Sequence, residues 1–111
     1  MNPEIIHYNQ LQFLKAEPTA PLDLNIVAKV DAVIINYTTH SEVFELLRKI
    51  RSHHDQKVYL TPFFLHNLTG NMDQAVIQLT DGVLTNLSNL DPAVIVVGKI
   101  QSRMSQTASQ N

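Results

Sequence analysis

An α/β domain with a mostly parallel sheet is the fold class this sequence predicts, on three observations. Short apolar runs rich in β-branched residues alternate with stretches whose apolar residues recur at helical spacing. The runs, such as Ala32-Val33-Ile34-Ile35, are continuous rather than alternating, which suits strands covered by helices on both faces. A chain of 111 residues with 44% hydrophobic and 16% charged residues is one domain with an ordinary core.

The elements follow in order. Glu4 to Tyr8 reads as a strand, and Leu11 to Ala16 as a second. Glu17-Pro18-Thr19-Ala20-Pro21 breaks the chain, because the residue before a proline is pushed out of the helical region. Leu22, Ile26, Val27 and Val30 share one face of a short helix over 22–30. Asp31 then leads the strand 32–35. Thr39-His40-Ser41-Glu42 has the capping-box spacing of a hydroxyl followed three residues later by Glu. Val43, Phe44, Leu46, Leu47 and Ile50 continue it as a helix, with Arg48, Lys49 and Arg51 near the end where cations suit the macrodipole.

Lys57-Val58-Tyr59-Leu60-Thr61 reads as a buried strand closed by Pro62, and 66–71 as a loop. A short helix over 71–79, with Met72, Ala75, Val76 and Leu79 on one side, precedes a brief strand 82–84. Asp91-Pro92 opens the last helix, since Asp caps and Pro suits the first turn. Positions 93, 97, 100 and 104 carry it forward. Residues 1–104 thus form the domain, and 105–111 read as a polar linker or disordered tail. No internal repeat interrupts the alternation.

Composition excludes several functions. There is no cysteine, hence no disulfide, thiolate metal site or thiol nucleophile. The net charge of −2 gives no basic field for nucleic acid. The first residues lack a signal-peptide pattern, and the longest apolar run, 93–97, falls far short of the ~20 residues of a membrane span. The expectation is a cytoplasmic domain with neither nucleic acid nor membrane as partner.

Three constellations stand out. Adjacent His53 and His54 with Asp55 invite a metal, with His66 or His40 completing the set. Neighbouring helical residues point about 100° apart, however, so a polar helix end is the better reading and no metal is expected. Asn36, Thr38, Thr61 and Asn86 are expected at the C-terminal ends of parallel strands, where open α/β sheets bind ligands. They read as a repurposed small-ligand pocket or as loop residues satisfying the backbone. Val94, Ile95, Val96, Val97 and Ile100 cover more than one face of the last helix, so Val94, Val97 and Ile100 are candidate contacts for a partner. The alternative is a helix buried wholly within the domain. No nucleophile elbow or Gly-rich phosphate loop is present.

Across 31–86 the chain resembles the receiver domains of two-component response regulators. Asp31-Ala32-Val33-Ile34-Ile35-Asn36 is similar to the family's third strand, Phe44 to Arg51 to the helix after it, Val58-Tyr59-Leu60-Thr61 to the fourth strand, and Ala75 to Leu84 to the fourth helix and fifth strand. The resemblance implies a flavodoxin-like three-layer sandwich with a mostly parallel sheet and a shortened N-terminal part, whose first helix is missing or replaced by a hairpin-like pair. It also implies a phosphoacceptor site in degenerate form. Asn36 stands at the acceptor position, Asn86 at the lysine, and only the hydroxyl of Thr61 is kept. The acidic pair after the first strand falls near His7-Tyr8-Asn9, where there is no carboxylate to hold Mg²⁺. Without these charges phosphoryl transfer has no support. The expectation is a pseudoreceiver: no enzyme, no cofactor, and a regulatory role by protein contact as a homodimer or with an adjoining output domain. A ligand-binding sensor using the C-terminal edge of the sheet is the alternative.

Overall fold

The computed structural model describes residues 4–67 and 74–109. Five strands form one sheet in the order β1-β2-β3-β4-β5, namely β1 (Ile5–Tyr8), β2 (Leu11–Ala16), β3 (Ala32–Asn36), β4 (Phe63–His66) and β5 (Gly82–Leu84). β1 and β2 pair antiparallel through a two-residue turn. Its residues, Asn9 and Gln10, have φ of 51° and 67°, the left-handed conformation that matches the twist of a tight hairpin. The remaining pairs are parallel, with Val33 beside Phe63 and Phe64 beside Gly82. The domain is therefore α/β with a mostly parallel sheet, and its N-terminal part is a hairpin.

The helices are α1 (Leu24–Val27), α2 (His40–Arg51), α3 (Gln56–Tyr59), α4 (Gln74–Ile77) and α5 (Asp91–Ser109). From β2 to β5 every crossover steps in the same direction along the sheet. Crossovers of one hand then place their helices on one face. The core divides accordingly. Leu14, Val33, Ile35, Phe63 and Leu65 pack with Val27, Val43, Leu47, Ile50, Val58 and Val76 of α1–α4. Phe13, Ala32, Ile34, Phe64 and Leu84 face the other way, against Leu90, just ahead of α5, and Ala93 and Val97 of α5. Alternate residues of each strand feed opposite layers, as the pleat requires.

Two expectations are corrected. The run Lys57–Thr61 is no strand. Asp55 caps a helical turn there by accepting from the Lys57 N–H at 3.0 Å, and Val58 turns inward from it. The strand lies beyond Pro62, at Phe63–His66. β-branched and aromatic side chains suit a strand, but a local cap and the all-apolar Phe63-Phe64-Leu65 segment outweigh them. The helix expected over 22–30 is a single turn, started by the Asp23 side chain on the Asn25 N–H. α5 continues through Ser109, into the stretch read as a polar linker or tail. Much of the loop 66–71, and of the helix 71–79 including Met72, lies outside the described residues, and of its stated face Val76 is buried whereas Leu79 is 40% exposed.

The expected capping box is half made. Thr39 accepts from the Glu42 N–H at 3.3 Å, but the Glu42 carboxylate takes the Thr38 hydroxyl at 2.6 Å. A small recurrence also emerges. α1–β3 and α4–β5 are each one helical turn, a bend containing Asp, and a strand: Val30-Asp31-Ala32-Val33 and Thr80-Asp81-Gly82-Val83.

Candidate functional site

The ends of the parallel strands define two rims. At the C-terminal rim, Asn36 ends β3 beside His66 of β4, and His66 lies beside Leu84 of β5. Glu17 follows β2 directly, and its Oε2 accepts from the Asn36 side-chain amide at 3.2 Å. Thr38 and Glu42 form the second polar pair of this rim. Asn86 follows β5 on the same side, but its Oδ1 is committed to the Ser88 N–H at 2.9 Å in a local turn. A groove of about 540 Å³ opens nearby between the 18–22 loop and α2. Its walls include Pro18, Pro21 and Leu22 on one side, and Ser41, Glu45 and Lys49 on the other.

Thr61 is not part of this rim. Because β4 begins after Pro62, Thr61 sits at the opposite, N-terminal end of the strands. Its hydroxyl donates to the Lys57 carbonyl, and its own carbonyl accepts from Arg51 Nη1 at 3.0 Å. The structure thus places Asn36, Thr38 and Asn86 at one rim and separates Thr61 from them. The error follows directly from the misplaced fourth strand.

The rim that carries Thr61 is a set of strand clamps. Asp31 accepts from the Gln12 N–H at 2.8 Å and from the Gln101 side chain at 3.1 Å, and its own N–H donates to the Gln12 carbonyl. Asp81 repeats the arrangement on Phe63, accepting from its N–H at 2.8 Å and donating to its carbonyl at 2.7 Å. Arg51 lies over the Phe63 ring at 5.0 Å and reaches Asp81 at 3.4 Å. Burial lowers the Arg51 pKa from its ordinary value, and the Asp81 charge acts in the opposite direction. The recurrence of Asp one residue before a strand was the signal in the sequence for these clamps.

β1 is the edge strand, so His7-Tyr8-Asn9 lies away from Asn36. The strand beside β3 is β2, and the residue after it is a carboxylate, Glu17. Its signal was present in the sequence, as an acid directly after the run 11–16. It was hidden because which of two candidate strands pairs with β3 is a long-range matter.

His53, His54 and His66 do not converge, and the side chain of His40 lies outside what the structure describes. The His53 and His54 rings stack at 4.8 Å, and His53 Nδ1 accepts from the Asp55 N–H at 3.1 Å. His66 ends β4 at the far rim. Among the described residues no group of three His, Cys, Asp or Glu side chains is placed to hold a metal ion.

On α5, Val97 is fully buried against the sheet, whereas Val94 and Ile100 are half-buried on its flanks. Val97 is core and is not a partner contact. The side chain that faces outward is Ile95, 60% exposed. Near the start of α5, the Tyr8 hydroxyl donates to Asp91 at 2.7 Å, which raises the phenol pKa. Among the described residues no helix is long and apolar enough to cross a membrane. No protein-family model matches the chain, and no curated protein or solved structure shows significant similarity to it.

Proposed function

We propose that this is a receiver-like regulatory domain that carries no phosphoryl group and acts by protein contact. The observation that carries the reading is Asn36 at the centre of the C-terminal rim, an amide bonded to Glu17 where the resemblance would place an ionised acceptor. An amide offers no anionic oxygen to a phosphoryl donor.

The layers support the same reading. In the flavodoxin-like order 2-1-3-4-5 one crossover runs against the others, and its helix falls on the opposite face. Here β2 occupies the place beside β3, and antiparallel β1 occupies the edge through a tight turn. The reversed crossover and its helix are replaced by the hairpin, which leaves α5 as the one helix on its face among the described residues. On this reading the domain pairs with a second copy or with an adjoining output domain through α5, using Ile95 and the flanking Val94 and Ile100.

The test is incubation with acetyl phosphate and Mg²⁺ followed by intact-mass measurement. An unchanged mass is expected, and an acid-labile phosphoryl adduct overturns the proposal. A second reading, a small-ligand sensor, is favoured by the groove beside Glu17, whose volume lies within the range of ~300–1,000 Å³ usual for ligand pockets. A thermal-shift screen with polar metabolites separates the two, since only the sensor gains stability from a small molecule.

A further inference from the structure

We infer that the free edge of β1 is an interface for a second copy of this chain, joined as an antiparallel strand pair about a twofold axis at Ile6. The inference is independent of the regulatory reading and stands on the backbone of the hairpin.

Gln12, opposite His7, spends both its N–H and its C=O on Asp31, on the β3 side. It has neither left for His7. The hairpin bonds therefore fall at Tyr8–Leu11, Ile6–Phe13 and Glu4–Lys15, the last seen as Lys15 N–H to Glu4 C=O at 3.0 Å. Ile5 and His7 consequently aim their N–H and C=O groups away from the sheet, where no strand among the described residues lies beside β1. Such a row of donors and acceptors is a template for another strand.

The same two residues make the edge self-complementary. With the axis at Ile6, Ile5 of one copy meets His7 of the other, and each pair exchanges two bonds. Ile6 then meets its own copy, and the layers keep their sides because residues opposite each other share a face. Charge does not oppose the match. Glu4, the carboxylate at the start of the strand, is neutralised by Lys15 at 3.1 Å, and it meets Tyr8 of the other copy rather than a like charge. The usual protections are missing: Ile5–Tyr8 contains no proline and no lysine. The opposite edge is less suited, since β5 is three residues long and starts at Gly82 with φ of 155°.

Light scattering of the full chain across a wide concentration range is the test. The mass is expected to rise from 12.5 kDa toward twice that value. His7→Pro removes an outward donor and leaves the β1–β2 ladder intact, so it should hold the protein monomeric with an unchanged circular dichroism spectrum. Amide exchange on the wild-type chain gives a readout that needs no variant: Ile5 and His7 gain protection as concentration rises. A wild-type chain that stays monomeric overturns the inference. So does a dimer in which these two amides stay unprotected.

Discussion

The side-chain amide of Asn36 donates to Oε2 of Glu17 at 3.2 Å, tying together the C-terminal ends of two neighbouring parallel strands. Asn36→Asp converts this bond into two facing carboxylates. The site is at the surface, so the loss is modest, about 0.5–1 kcal/mol. Glu17→Gln in the same chain should restore the wild-type midpoint. Urea denaturation of the two variants measures both effects, and an Asn36→Asp protein as stable as wild type would show that the contact contributes nothing.

The clamp on Phe63 is expected to matter more. Asp81→Ala leaves the N–H of a fully buried residue without its partner and removes the charge beside Arg51. A loss of about 1–3 kcal/mol follows from the orphaned donor. Arg51→Met should be less costly, and the double variant should be less destabilised than the sum of the singles, because the two side chains share one contact. Strict additivity would show that Arg51 and Asp81 act separately.

The β1–β2 turn offers a gain. Gln10 sits at φ of 67°, a conformation unfavourable for any residue with a Cβ. Gln10→Gly gives the Asn-Gly pair that such turns favour and should stabilise the domain by about 0.5–1 kcal/mol. A higher thermal midpoint without change in the circular dichroism spectrum is the expected result.

Tyr8 predicts an alkaline effect. Its hydrogen bond to Asp91 raises the phenol pKa above the ordinary 10.0. The folded state then holds this proton more tightly than the unfolded state. The resulting stability is fully present below pH 10 and is lost as pH rises through the raised value. Tyr8→Phe should remove this part of the pH dependence. It should also remove one phenol, titrating above its ordinary value, from the ultraviolet absorbance curve.

Val97 and Ile95 lie two residues apart on α5 and should respond in opposite ways. Val97→Ala opens a cavity against the sheet and should cost about 1–3 kcal/mol. Ile95→Ala removes an exposed side chain and should leave the midpoint within about 0.5 kcal/mol of wild type.

The sequence by itself determined the elements whose signals are local. The continuous run 32–35, the Thr39 cap, the Pro18–Pro21 break and the Asp91-Pro92 helix start all appear where the residues predict them. Each depends on neighbours within a few positions. Only the tertiary structure decided that 57–61 forms a helical turn ahead of β4, because Phe63 rather than Val58 takes the place beside Val33. That register moved Thr61 to the far rim. It also took the three-dimensional pairing to set β2 beside β3, which brought Glu17 to Asn36, and to turn Val97 inward and Ile95 outward. Strand partners and buried faces are chosen by residues distant in the chain, and no short stretch of sequence records which of them will meet.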